Sequence, residues 1–378
     1  METEQSHEVR EVREKVVAST DQVRKNKRLE AQSSRRNISR DDCDHEISEK
    51  QVKTLLNMCK TSKLTLTSFR HLSQALSCDQ RSEYCQLLLD SEGCLNALVG
   101  YLSGHDPAKQ VLSIQCLVNL AAQGYKGAVI AKTAGAYLVT LIAGTNRTLA
   151  EHSCLVISNL CLTDPLSTPV LINLNTVETL INLSTSSTDS VQESCLQALY
   201  HLIRTERPSS EMSRRLVTVS LSLMTPPRSL PPVHLLWILF ILSSHQSLHN
   251  YLANESFLHQ CLDIATYEIY QKCDSRPVVK LLTPVVRILA NLSAGPDSVS
   301  VCLCLLRHQD LATILTSLLS TNYTHLCRET LWLFANIVNN ENMKVQEEFV
   351  NLDLMDKLET HAVHAVGRLD PYALGGYN

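Results

Sequence analysis

Apolar residues along this chain recur at helical spacing, and the clearest stretch is E-T-L-W-L-F-A-N-I-V, from Glu329 to Val338. On an α-helix Glu329, Trp332 and Asn336 stand at i, i+3 and i+7 and share one stripe, while Leu331, Leu333, Phe334, Ile337 and Val338 spread over the opposite arc. The pattern predicts a helix that buries a broad apolar face and presents a Trp and an Asn outward.

Related stretches appear when the Asn position is used as a ruler: Q-C-L-V-N ending at Asn119, L-V-I-S-N at Asn159, Q-A-L-Y-H at His201, W-I-L-F-I at Ile241 and R-I-L-A-N at Asn291. With Asn336 the slots lie 40, 42, 40, 50 and 45 residues apart. That interval suits helical repeats of armadillo or HEAT type, in which each unit buries its apolar face only by stacking on its neighbours. An all-α array follows, since no alternating run with hairpin turn signals stands out.

Composition narrows the chemistry. The 14 cysteines are scattered singly, many inside apolar helical stretches, with no C-x-x-C, and the C-L-C at Cys302 and Cys304 lacks a second half-site. Buried reduced thiols are therefore expected, with no metal and no cofactor. Phosphate-loop, zinc-protease, nucleophile-elbow and dinucleotide motifs are all missing, which argues against an enzyme: no catalytic residues and no small-molecule substrate are expected. The longest apolar run, Val233–Leu242, is about half of the ~20 residues a spanning helix needs. Prolines 226, 227, 231 and 232 precede it, which marks a helix start in a repeat rather than a membrane segment.

Charge is uneven along the chain. Residues 1–40 hold 10 Lys and Arg against 7 Asp and Glu, although the whole chain carries a net charge of −4. Between 24 and 40, Arg24, Lys25, Lys27, Arg28, Arg35, Arg36 and Arg40 face Glu30 alone. Such an arm suits an acidic protein, an anionic lipid surface or nucleic acid, and charge by itself does not choose. The first forty residues contain no aromatic side chain, so they offer no stacking platform for single-stranded bases.

The order of those charges resembles the importin-β-binding segment of the importin-α family. Val23–Glu30 follows the family's L-R-K-x-K-R-x-E core with Val for Leu, and Ser34–Ile38 follows its K-R-R-N-hydrophobic end with Ser for the first Lys. Downstream, Thr67–Ser73 resembles the family's first armadillo repeat, Leu281–Gly295 its sixth and Glu329–Val338 its seventh. A divergent branch, the transmembrane and coiled-coil domain-containing proteins, shares an extended insertion, here Leu262–Val279, and the run Asn351–Leu354. The resemblance implies a right-handed superhelical solenoid of about seven armadillo repeats behind a basic N-terminal arm. Residues 1–42 would be the arm, 47–360 the array and 361–378 an irregular tail.

In that family, Trp indoles and Asn amides on successive helices line a concave groove. The indoles take the aliphatic stems of lysines in a nuclear localisation signal, and the amides clamp its backbone. Carried over, the resemblance implies cargo-peptide binding by Asn119, Asn159, Trp237, Arg287, Asn291, Trp332 and Asn336, and importin-β binding by Arg24, Lys25, Lys27, Arg28, Arg35 and Arg36. Gln115, Leu155 and Gln197 stand where the family's major site has Trp, and His201 where it has Asn, so the later repeats are the better preserved half. Asp164 lies one position past the slot of an acidic lysine partner, and Thr283–Pro284 reads as an N-cap and first turn. The implied role is a nuclear import adaptor in cytoplasm and nucleus, its partners importin-β and basic peptides rather than nucleic acid. The competing reading is a scaffold that has lost signal binding, with or without membrane association.

Overall fold

The computed structural model describes residues 47–77, 82–186, 189–224, 230–270, 276–352 and 354–369; the predicted arm, with its six importin-β candidates, lies outside them. The described residues are helical and contain no strand. They gather into two compact units, the first running to residue 183 with 187–205, the second comprising 184–186 with 206–369.

The first unit holds α1 (Glu49–Lys60), α2 (Leu66–Ser77), α3 (Ser82–Asp90), α4 (Cys94–Leu102), α5 (Pro107–Gln123), α6 (Gly127–Ile142), α7 (Arg147–Thr163), α8 (Ser167–Ile172), α9 (Thr176–Ser186) and α10 (Asp189–Thr205). Helix α5 packs between α2 and α7, and α7 between α5 and α10. Local sequence sets the ends of these helices. The Asp106 carboxylate accepts from the N–H groups of Ala108 and Lys109 ahead of α5, Pro107 occupies its first turn, and Gly124 closes it at φ 73°, a left-handed angle that favours glycine. Asn146 caps α7 by accepting from Leu149 N–H.

The second unit holds α11 (Ser210–Met224), α12 (Val233–Ser243), a 3-10 turn (Gln246–Leu248), α13 (His249–Leu252), α14 (Glu255–Tyr270), α15 (Arg276–Ser293), α16 (Ser298–Leu306), α17 (Leu311–Leu319), α18 (Thr324–Val338), α19 (Met343–Asn351) and α20 (Leu354–Leu369). Here α15 packs between α12 and α18, while α16 lies against α19 and α17 against α20. Each of the six ruler slots falls on a helix, on α5, α7, α10, α12, α15 and α18 in turn.

Two expectations change. Thr283 and Pro284 do not open a helix: α15 begins at Arg276 and carries Pro284 in its interior, and the Thr283 hydroxyl donates to the Val279 carbonyl at 2.7 Å. A proline there costs ~3 kcal/mol, but Val279, Leu282, Val285, Val286 and Leu289 are all buried, each contributing roughly 1.5–3 kcal/mol, so packing outweighs the break. Within the insertion, α14 runs to Tyr270. The tail boundary also moves: α20 continues to Leu369, since no helix breaker stronger than Gly367 occurs before Pro371.

Helix α12, the candidate apolar run, is 11 residues long. No single described helix is long and apolar enough to cross a membrane, and the one pair that reaches the required length together, α16 with α17, is bent by 93°. Of the described cysteines all but Cys304 are buried. Burial pushes the thiols of Cys116 and Cys161 up to about 12 and that of Cys302 to about 11, so these serve as apolar filler rather than nucleophiles.

Candidate functional site

Trp237, Arg287, Asn291, Trp332 and Asn336 come together in the second unit, on the three neighbouring helices α12, α15 and α18. Trp237 and Phe240, one helical turn apart on α12, meet edge to face with ring centroids 5.7 Å apart. The Arg287 guanidinium on α15 stands 5.8 Å from the Trp237 ring and 5.1 Å from the Phe240 ring, a cation–π arrangement on both. Its Nη2 donates to Glu329 Oε1 on α18 at 2.7 Å, an ion pair largely shielded from solvent. The Trp237 face is thus occupied by the protein's own cation, and the carboxylate best placed to meet a ligand lysine is already neutralised. Trp332, at 42% exposure, offers the open indole.

The Asn side chains tie successive helices together. Asn291 Nδ2 donates to Ser243 Oγ at 2.8 Å, and Asn336 Nδ2 donates to the Ala290 carbonyl at 2.9 Å and to Ser293 Oγ at 3.2 Å. Asn336 has therefore committed both amide hydrogens, and its Oδ1 remains to accept from a ligand N–H. Asn336 also borders a shallow depression of about 470 Å³ shared with Ser293, Ser298, Asn339 and Asn340. Sequence reasoning missed Phe240, Ser243 and Ser293. The two serines could have been found, because each sits two residues past a ruler slot, at 241 and 291.

In the first unit the expectation fails. Asn119 and Asn159 are only 1% and 2% exposed, so neither lines an open track. Asn159 Nδ2 donates inward to the Val118 carbonyl at 3.3 Å, and Asn119 Oδ1 is buried with no hydrogen-bond partner. The cause lies in their surroundings: Cys116–Ala122 on α5 and Val156–Cys161 on α7 are buried at every position, so these stretches of the two helices are enclosed all round. Asp164 is likewise not a free lysine partner. Its Oδ2 accepts from Ala128 N–H at 2.8 Å at the start of α6, and its Oδ1 from Leu166 N–H at 3.1 Å. His201 is buried against Tyr200, with ring centroids 5.0 Å apart.

Among the described residues, no three His, Cys, Asp or Glu side chains converge on a metal-holding geometry. No family model matches the chain, and no curated protein matches it. Among solved structures, the crystal structure of an engineered protein aligns over 79% of this chain and 97% of that one, with 16% identity and a TM-score of 0.42.

Proposed function

We propose that the chain is an armadillo-type solenoid that works as an importin-α-like adaptor, with the α12–α15–α18 face of its second unit binding an extended basic peptide. The observation that carries this reading is the row Trp237, Arg287, Asn291, Trp332 and Asn336, set on adjacent helices with Trp332 open. A peptide strand along that row meets Asn336 Oδ1 with a backbone N–H and the Trp332 indole with the stem of a Lys or Arg. The basic segment of residues 1–42 is the importin-β ligand, with Arg24, Lys25, Lys27, Arg28, Arg35 and Arg36 as contacts, and the protein acts between cytoplasm and nucleus.

Isothermal titration with a bipartite basic peptide tests the groove. Micromolar, salt-sensitive binding that falls about tenfold in Asn336→Ala is expected, the loss of roughly one hydrogen bond of ~1.4 kcal/mol. Capture of importin-β by the full chain, abolished by Arg35→Ala with Arg36→Ala, tests the arm. A second reading, a scaffold without classical signal binding, draws support from the interior positions of Asn119 and Asn159 and from the self-occupied Trp237. Failure of the peptide to saturate, with both variants folded, would favour it.

A further inference from the structure

A separate cavity of about 300 Å³ in the second unit joins the approach to α11 with the turn that follows α12, and Arg207, Ser210, Ser213, Ser244, His245 and Ser247 line it. Gln246, Pro208 and Leu248 complete the wall, so it contains two cationic or ionisable nitrogen groups, four hydroxyls and one carboxamide, but no carboxylate. Two hydroxyls are already committed: Ser213 Oγ donates to the Pro208 carbonyl at 3.4 Å and Ser244 Oγ to the Ile241 carbonyl at 2.7 Å. Ser210, Ser247 and the Arg207 guanidinium make no side-chain hydrogen bond or ion pair among the described residues. His245 is held below its ordinary pKa, first by burial, then by the charge of Arg207 and by His249. The Arg207 charge and an imidazole kept from protonating beside it thus face one concavity whose wall holds no carboxylate.

We propose that this cavity binds a tetrahedral oxyanion of the phosphate monoester class, gripped by the Arg207 fork and closed over by Ser210, Ser247 and His245. A guanidinium satisfies two oxygens of such a group at once, and the hydroxyls and imidazole supply donors for the others, more than a planar carboxylate can use. Ser210 also opens α11, but Met212 N–H there already donates to Ser209 Oγ at 3.3 Å and Glu211 stands in the first turn, so the Arg207 guanidinium and not the helix end supplies the positive charge. The site is independent of the peptide face.

The test follows the His245 ring by NMR in the full chain, assigned with His245→Gln, while inorganic phosphate, O-phosphoserine or chloride at matched ionic strength is added. Phosphate dianion is expected to raise the His245 midpoint by roughly half a pH unit or more, because a nearby anion favours the imidazolium. Chloride is expected to leave it unchanged. Arg207→Gln raises the starting midpoint by removing repulsion, but weakens the phosphate response about tenfold or more, as loss of a charge-assisted bond requires. Arg207 is exposed, so its replacement leaves the melting temperature unchanged. Tighter binding of O-phosphoserine than of phosphate identifies a phosphorylated side chain as the ligand, whereas the reverse order identifies the free ion. A chloride response equal to that of phosphate, or a phosphate response intact in Arg207→Gln, overturns the proposal.

Discussion

The same residue at the same ruler slot meets opposite fates in the two units. In the first, Asn159 is sealed inside and its amide reaches the carbonyl of Val118, 41 residues earlier; in the second, Asn336 makes the equivalent reach to Ala290 yet stays half-open beside Trp332. Joining one long helix to the previous one is therefore the shared task of this Asn, and ligand access is an addition made only where the flanking positions leave room. On α18 the Asn side of the helix alternates with buried Thr330, Leu333 and Ile337, whereas over Cys116–Ala122 on α5 and Val156–Cys161 on α7 the burial is continuous. The lesson is that an Asn at repeat spacing first reports a helix-to-helix brace, and a groove needs a solvent-facing neighbour as well.

The largest effect is expected where the second unit's brace rests on a glycine. A Cβ at Gly295 would fall 1.9 Å from His249 Nδ1, and that ring is buried. His249 Nε2 lies 2.7 Å from the Ser243 carbonyl, which only accepts, so this nitrogen carries the proton and the ring is held in place. Ser243 in turn receives the Asn291 amide. Gly295→Ala should therefore cost roughly 2–4 kcal/mol, an overpacking penalty, and loosen α12 against α15. Chemical denaturation gives the first value and hydrogen exchange across α12 and α15 locates it; unchanged protection there would mean that the ring escapes freely.

A smaller and more discriminating effect separates the two asparagines. Asn159→Ala removes a buried hydrogen bond and leaves a void, so about 1–3 kcal/mol should be lost. Asn336→Ala removes two bonds, but the side chain is half-open and the Ala290 carbonyl keeps the Ser293 hydroxyl as a donor at 3.0 Å, so about 0.5–1 kcal/mol is expected. Paired denaturation curves decide between them. Equal losses would show that exposure does not distinguish the units, and the contrast drawn from burial would fail.

Much of the architecture was legible in the sequence because a 3.6-residue period and a 40- to 50-residue interval are both carried by side chains that must be buried. Each ruler slot landed on a helix for that reason, although α6, α11, α14 and α20 are longer than α12 and carry none. Accessibility was not legible in the same way. Nothing in L-V-I-S-N marks Asn159 as interior and nothing in L-W-L-F-A-N marks Asn336 as half-open, because exposure depends on helices distant in sequence. The self-occupied Trp237 was missed on similar grounds: Arg287 and Glu329 lie 42 residues apart, and only the packing of α15 on α18 makes them partners. The Thr283–Pro284 misreading was local, since cap chemistry was weighed without the apolar face that overrides it.

The smallest expected effect repeats the glycine substitution in the first unit. Gly100 lies inside α4 on its exposed side, its φ is not positive, and a Cβ there would meet nothing within 4 Å. Alanine costs the folded state no contact and narrows the unfolded chain, so Gly100→Ala should stabilise by about 0.4–1 kcal/mol. The change in chemistry is identical to that at Gly295, and only the surroundings differ. A stabilised Gly100→Ala beside a destabilised Gly295→Ala would trace the opposite signs to the His249 ring. A loss at both positions would point instead to a general intolerance of added bulk and remove His249 as the cause.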